Sequence, residues 1–305
     1  RLANRELFGR LATAAMLPAV TELCARWRPD VIVREPTEYA SAVVSCRAGV
    51  PMVQVAISLA QVEAGSLDLA APALSPVETG VVEALRAAPY LTTFPAALDP
   101  SPFPTTIRFH EPRRPGAVPP LADWWPDSDA PLLYVTLGTV VPYMSVAAAR
   151  FRALLDAVAD LDVRVLLTVG RVFDAAALGS VPRNVHVEAW VDQATVLSLA
   201  RAVVCHGGSG TLLGALAAGV PLVVVPVFGD QVDNGRRVAA AGAGVVADGD
   251  PPAALISERI TSVVADTSYR DAARRIAREM VSTPTVDEAL ARPLAEAATR
   301  GVRDE

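Results

Sequence analysis

The sequence predicts an α/β protein made of two doubly wound units, each with a parallel sheet. Short apolar strands alternate with helical stretches twice along the chain, and a proline-filled stretch separates the two alternations. At 305 residues and 52% hydrophobic content, the chain can supply two substantial cores.

The first alternation opens with Leu7 to Trp27, where apolar residues recur at helical spacing up to Arg28-Pro29-Asp30. Asp30-Val31-Ile32-Val33 reads as a short strand, with a turn at Glu35-Pro36-Thr37-Glu38. Tyr39 to Ala48 is a small-residue helix stopped by Gly49-Val50-Pro51, and Met52 to Ile57 is the next strand. Ala60 to Leu74 shows no clear period; Val77 to Ala87 reads as helix and Tyr90-Leu91-Thr92-Thr93 as strand. The chain opens at Arg1 and its first segment already reads as helix, so the first strand-turn-helix of a doubly wound unit is expected to be absent from it.

From Pro95 to Pro131 prolines recur, among them Pro112, Pro115, Pro119, Pro120 and Pro126. No regular core element is expected there, because proline lacks the amide that helix and sheet require. The interdomain linker is placed in this stretch, at residues 116–130, between an N-terminal domain (1–115) and a C-terminal domain (131–284).

The second alternation runs through strand Leu132 to Leu137, helix Ala147 to Ala159, strand Arg164 to Val169, strand Val185-His186-Val187 and helix Thr195 to Ala200. Strand Ala202 to Cys205 meets a glycine-rich turn that opens a helix at Ser209 to Ala217, and strand Leu222-Val223-Val224-Val225 follows. Gln231 to Ala241 is helix and Gly244-Val245-Val246 strand; Ser257 to Ala265, Tyr269 to Met280 and Val286 to Ala298 are helices.

Composition excludes several classes. A net charge of −6 argues against a nucleic-acid partner, whose usual footprint is a basic face. All basic side chains are Arg, which reads as the codon bias of a GC-rich genome. The apolar runs look broken by Pro or Gly, so no membrane span of roughly 20 residues is expected, and no signal-peptide pattern is seen. Cys24, Cys46 and Cys205 lie in apolar surroundings without ligand-like spacing, which suggests buried reduced thiols and a cytoplasmic protein.

The chemistry concentrates in His206-Gly207-Gly208-Ser209-Gly210-Thr211, followed by Gly219-Val220-Pro221 and Asp230-Gln231-Val232-Asp233-Asn234. A strand, a glycine turn and a helix start form an anion-binding device, because the first-turn amides point outward and the dipole adds partial positive charge. His206 stands at the strand's end, facing the same anion; the bland reading is a core histidine. Ser209 could simply cap the helix, in competition with phosphate contact through Ser209, Gly210 and Thr211. Asp230 and Gln231 follow the next strand, on the edge where open α/β sheets bind ligands, and otherwise are solvated loop residues. Asn234 is read as orienting that loop or capping the following helix. Gly138-Thr139, after strand Leu132 to Leu137, forms either a second phosphate-facing turn or an ordinary one.

These motifs, in this order and spacing, resemble the nucleotide-sugar signature of the family 1 glycosyltransferases, and most of all those that attach deoxysugars to antibiotics and other natural products. The resemblance implies the GT-B fold: two Rossmann-like doubly wound domains facing a cleft, with the terminal helix (285–305) packed back on the N-terminal domain. It implies a metal-independent, inverting transfer of a sugar from a nucleoside diphosphate to an acceptor hydroxyl. His206 would stabilise the departing diphosphate, and Asp230 and Gln231 would hold the sugar. Trp190-Val191-Asp192-Gln193 is similar to the stretch that stacks and hydrogen-bonds the nucleobase, Val191 through its backbone; a Trp after a strand is otherwise core.

In relatives that use uridine donors a Glu on the helix after the glycine turn binds both ribose hydroxyls; this chain has Gly214 there, which points to a dTDP-sugar. The family's general-base His near the end of the first strand has no counterpart, since His110 sits in the linker. Glu35 maps to the acid that orients that base; its alternative is an exposed loop carboxylate. Three Asp-X-Asp triplets, at Asp127, Asp160 and Asp248, recur by chance and predict no metal, and no cofactor is expected. The Gly-X-Gly of the main turn lacks dinucleotide spacing, which sets an oxidoreductase aside. A nucleotide-sugar 2-epimerase and a non-catalytic auxiliary partner of a transferase are the rival readings. Gly214 weighs against the first and retention of His206, Asp230 and Gln231 against the second. The expected acceptor is an apolar small molecule, and a homodimer is compatible with all of these patterns.

Overall fold

The computed structural model describes residues 2–112, 124–125 and 128–301. The chain forms two compact units: unit 1 is Arg1–Glu111 with Ser282–Glu305, and unit 2 is Pro112–Val281. Most of the expected linker at 116–130, with Asp127, lies outside the described residues.

Unit 1 holds a four-stranded parallel sheet in the order β1 (Ile32–Arg34), β2 (Met52–Val55), β3 (Tyr90–Thr92), β4 (Thr106–Arg108). A π-type segment, Ala3–Ala12, continues into α1 (Thr13–Trp27), and α2 (Ala40–Ala48), α3 (Ala60–Leu74) and α4 (Val81–Ala87) connect the strands. Ile32, Tyr39, Val43, Leu67, Leu74 and Leu85 build the larger of this unit's cores. On another cluster, Val53, Leu91 and Phe109 pack against Ala289, Val286 and Leu290 of α11 (Val286–Gly301).

Three sequence expectations need correction in this unit. Strand β4 lies inside the proline-filled stretch, flanked by Pro104 and Pro112 and paired in register with β3. It is an edge strand, where neighbouring prolines cost no ladder bonds, and Leu98, Phe103 and Phe109 around it are buried. Ala3–Trp27 is one helix, with mean hydropathy 1.2 over its most apolar window, long and apolar enough to cross a membrane. The run looks broken because Gly9 and Pro18 interrupt it, yet the helix passes through both. Phe8, Leu17 and Cys24 face the core while Leu7, Leu11, Met16 and Trp27 lie exposed. The thiols differ too: Cys205 is buried, but Cys24 and Cys46 are only half-buried.

Unit 2 is a six-stranded parallel sheet in the order β10-β9-β8-β5-β6-β7. Its strands are β5 (Leu132–Thr136), β6 (Arg164–Thr168), β7 (Val185–Glu188), β8 (Ala202–Cys205), β9 (Leu222–Val224) and β10 (Gly244–Val246). The helices are α5 (Ala147–Val158), α6 (Gln193–Leu199), α7 (Ser209–Ala217), α8 (Gln231–Ala240), α9 (Ala253–Ala265) and α10 (Thr267–Val281). Strands β5 and β8 are buried along their whole length, as strands covered on both faces must be. The order reverses at β5, which pairs with β6 on one side and β8 on the other, so the ligand crevice of such a sheet falls at the carboxyl ends of β5 and β8.

Candidate functional site

Thr136 of β5 lies opposite Cys205 of β8, so both strands end level and deliver Gly138 and His206 to one point. The His206 imidazole fills the space between two glycines. A β-carbon on Gly138 would stand 2.5 Å from His206 Cε1, and one on Gly208 2.4 Å from His206 Nε2. Gly207 has φ +88°, and a β-carbon there would meet Val224 Cγ1 at 2.7 Å and the Gln231 carbonyl at 2.9 Å. The turn is therefore pressed between the histidine ring and the start of α8, which is why no side chain larger than hydrogen fits these places.

His206 is 9% exposed, and its Nδ1 is buried without a hydrogen-bond partner among the described residues. Burial lowers its pKa to about 4, against a smaller upward pull from Asp230, so the ring is neutral at pH 7. Helix α7 begins directly behind it. Its N-cap position is Gly208, with no side-chain cap, and the first intrahelical bond is Leu212 N–H to the Gly208 carbonyl, 3.0 Å. Ser209 thus sits inside the first turn and does not cap it, leaving the first-turn amides to be satisfied from outside the helix.

Asn234, fully buried in α8, ties this turn to the next loop. Its amide donates to the Gly207 carbonyl (2.9 Å) and to Asp230 Oδ2 (3.1 Å). Gln231 is also buried; its Oε1 accepts from the amides of Val227 (2.8 Å) and Phe228 (3.0 Å) and so shapes the loop that precedes α8. Gln193, first residue of α6, donates to the Thr211 hydroxyl at 3.2 Å. Gly138, Gln193, His206, Thr211, Asp230 and Gln231 therefore belong to one continuous set at the carboxyl edge of unit 2.

Trp190 is not core: it is 59% exposed, with the Arg171 guanidinium over its ring at 5.3 Å from the centroid. Val191 is half-buried and Thr139 exposed. The sequence reading missed Arg171, although its place just after β6, on the same sheet edge, was a usable signal. Gly214 faces α6, with Leu197 Cδ1 at 3.2 Å from the position of an added β-carbon.

Glu35 lies in unit 1, after β1. Its carboxylate accepts from the Thr37 amide (2.7 Å) and hydroxyl (2.8 Å), so it is a fixed, half-buried group rather than a solvated one. His110 is not linker: it follows β4, and its Nδ1 faces the Thr283 carbonyl at 2.8 Å. His186 Nε2 is 2.9 Å from Glu188, and the ring stacks on Trp124. Among the described residues no three His, Cys, Asp or Glu side chains converge as a metal site would need, and Asp248 and Asp250 pair with Arg236 and Arg150.

Comparison with known proteins gives this arrangement a context. A family model for the erythromycin biosynthesis protein CIII-like C-terminal domain matches residues 152–296, and its N-terminal counterpart matches residues 1–86. The chain is 32% identical to the elloramycin glycosyltransferase ElmGT of Streptomyces olivaceus, over 94% of this chain and 72% of that protein. It is 32% identical to the L-demethylnoviosyl transferase of Streptomyces niveus, over 88% and 72%. Among solved structures, the glycosyltransferase SnogD from Streptomyces nogalater superposes with a TM-score of 0.71 at 29% identity, covering 95% of this chain and 78% of that one. The fold is shared with the spinosyn rhamnosyltransferase SpnG in complex with thymidine diphosphate (TM-score 0.79, 24% identity, 99% and 82% covered). The chain belongs to the GT-B family 1 glycosyltransferases of natural-product biosynthesis.

Proposed function

We propose that the chain is an inverting, metal-independent glycosyltransferase that moves a deoxysugar from a dTDP donor to a hydroxyl of an apolar natural-product aglycone. The observation that carries this is the seat of His206: a neutral imidazole locked between Gly138 and Gly208, at the mouth of an uncapped helix. A diphosphate placed there meets the first-turn amides of Ser209 to Thr211 and the histidine. Together they disperse the charge that grows on the leaving group, the task that a divalent cation performs in other transferases.

Asp230, held by Asn234, presents a carboxylate to the sugar hydroxyls, while Gln231, whose side chain turns inward to the Val227 and Phe228 amides, supports the loop that carries it rather than holding the sugar. Trp190 offers its exposed face to the base, the Val191 backbone reads the pyrimidine edge, and Gln193 and Thr211 line the nucleoside side of the helix mouth. Unit 1 takes the acceptor, and Glu35, fixed by Thr37, orients the group that removes the acceptor proton. Attack of the acceptor oxygen on the anomeric carbon breaks the bond to the diphosphate and inverts that centre.

The donor nucleoside follows from Gly214, which supplies no carboxylate for a ribose 2′-hydroxyl. The neighbours support this reading, since both SpnG and the glycosyltransferase VinC have been solved with thymidine diphosphate. The test is to incubate the protein with a dTDP-α-sugar and a panel of phenolic and macrocyclic aglycones, with and without EDTA. A β-linked product formed equally in both conditions is expected; an α-linked product, or dependence on metal, would overturn the corresponding part. Titration with uridine diphosphate should show at least tenfold weaker binding than with thymidine diphosphate, and equal binding would overturn the argument from Gly214.

A further inference from the structure

Glu63 is a buried carboxyl group outside the donor site. It lies in the first turn of α3, 4% exposed, at a position where Ala60, Leu67, Ala70 and Leu74 form the rest of the buried stripe. Its Oε1 accepts two consecutive amides, Ile57 and Ser58, each at 2.8 Å. Its Oε2 accepts the hydroxyl of Tyr90 on β3, a fully buried ring stacked on Phe103 at 4.2 Å. The carboxyl group thus grips, from below, the loop that leaves β2 at the carboxyl edge of the unit 1 sheet. That loop carries Ile57, an apolar residue left 56% exposed, and Ala60, the first residue of α3, is held in turn by Asp99 Oδ2 at 2.9 Å.

We propose that Glu63 is a positioning residue for the acceptor: it fixes the loop between β2 and α3, and so the Ile57 side chain that the acceptor packs against. This rests on the reading of unit 1 as the acceptor side. Open α/β sheets bind ligands outside their carboxyl ends, where Ile57 stands and where Glu35 also emerges. A helix cap alone would need one acceptor for the free amides of α3. Glu63 reaches past the helix to two amides of the loop itself and spends its other oxygen on a different strand.

The charges around it set a pH dependence. Tyr90 of β3 donates to the ionised Glu63; Arg34 of β1, Glu35 after β1 and Tyr39 ahead of α2 act on it through space, and Asp99 and Arg108 act on Tyr90. Burial is the largest influence and raises the Glu63 pKa to about 7, against the three hydrogen bonds, with Glu35 adding to the rise. Below about pH 7 the closed loop therefore holds a proton, carried on Oε2 and donated to the Tyr90 oxygen, that an opened, hydrated Glu63 releases. Opening becomes easier as pH rises from about 4.5 through 7.

The experiment is amide hydrogen exchange of the Ile57–Ser58 segment between pH 5 and pH 8, corrected for intrinsic rates, in the wild-type chain, Glu63→Gln and Glu63→Ala. The wild type should lose at least tenfold protection across this range. Glu63→Gln, which keeps an acceptor oxygen but does not titrate, should be flat, and Glu63→Ala should be unprotected throughout. With 4-methylumbelliferone as acceptor probe, Glu63→Ala should raise the acceptor KM at least fivefold and leave thymidine diphosphate affinity within twofold, with Glu63→Gln restoring the KM. A wild-type segment as flat as Glu63→Gln, an unchanged acceptor KM, or an equal loss of diphosphate affinity would overturn the proposal. If Glu63→Ala does not unfold cooperatively, the wild-type against Glu63→Gln comparison decides. Lack of transfer by the wild type would count against the transferase reading, and the exchange measurement would still judge the Glu63 grip.

Discussion

The His206 ring occupies the place a Gly138 side chain would need: Cε1 lies 2.5 Å from where that β-carbon would stand. Gly138 also has φ +71°, a backbone conformation that costs a residue with a side chain roughly 1–2 kcal/mol. Gly138→Ala should therefore both strain the turn after β5 and push the imidazole out of its seat. Urea unfolding should show a loss of at least about 1 kcal/mol, together with weaker thymidine diphosphate binding. A variant as stable as the wild type, with the same affinity, would mean that the ring moves freely.

Removing the imidazole tests its chemistry. His206→Ala should fold, because the ring is replaced by space lined by glycines, and should lower kcat about 10²–10³-fold, as expected on losing one stabilising donor of a departing charge. Wild-type turnover in a variant with an unchanged melting profile would refute the role.

The pH dependence of stability should carry two opposite slopes. His206 has a folded pKa of about 4, below its unfolded value near 6.5, so its contribution is complete above pH 6.5 and is lost as pH falls toward 4. Glu63 has a folded pKa of about 7, above its unfolded value near 4.5; its contribution is complete below pH 4.5 and is lost as pH rises through 7. Between pH 4.5 and 6.5 the two act against each other. Chemical denaturation across that window should show stability rising with pH in Glu63→Gln and falling with pH in His206→Gln, relative to the wild type. Parallel curves for all three proteins would contradict both assignments.

Asn234 should prove a structural support of the site. Asn234→Asp keeps the shape but replaces a donor facing the Gly207 carbonyl and Asp230 by an acceptor. A cost of about 3 kcal/mol is expected for the buried unpaired polar groups, with a raised donor KM. Unchanged stability by urea titration would show that the tie between the two loops is dispensable.

Much of this site was legible because it is written in local sequence. His206 to Thr211 and Asp230 to Asn234 sit at strand ends that their own apolar runs define, and the glycines announce the close approach of backbone and ring. The fold was legible for the same reason in unit 2, where strands such as Ala202–Cys205 are uninterrupted apolar runs. What stayed hidden depends on distant partners. Helix α3 gave no period because Glu63 occupies a core position, which only Tyr90 and the loop amides make tenable. Strand β4 was concealed by its prolines, harmless at a sheet edge. The side chain of Gln231 turns inward to Val227 and Phe228, a geometry that no spacing encodes.

Binding of a diphosphate against His206 and the opening turn of α7 can be measured by calorimetric titration of thymidine diphosphate into the wild type and Gly208→Ala. Gly208 has ordinary φ and ψ (−63°, 140°), so alanine strains no backbone there and acts through the 2.4 Å approach to His206 Nε2. Saturable binding to the wild type is expected, with at least tenfold weaker binding to the variant, which should still unfold cooperatively but at lower stability because the imidazole is pushed from its seat. Equal affinity in the two proteins, or no binding to the wild type, would contradict a diphosphate seat there.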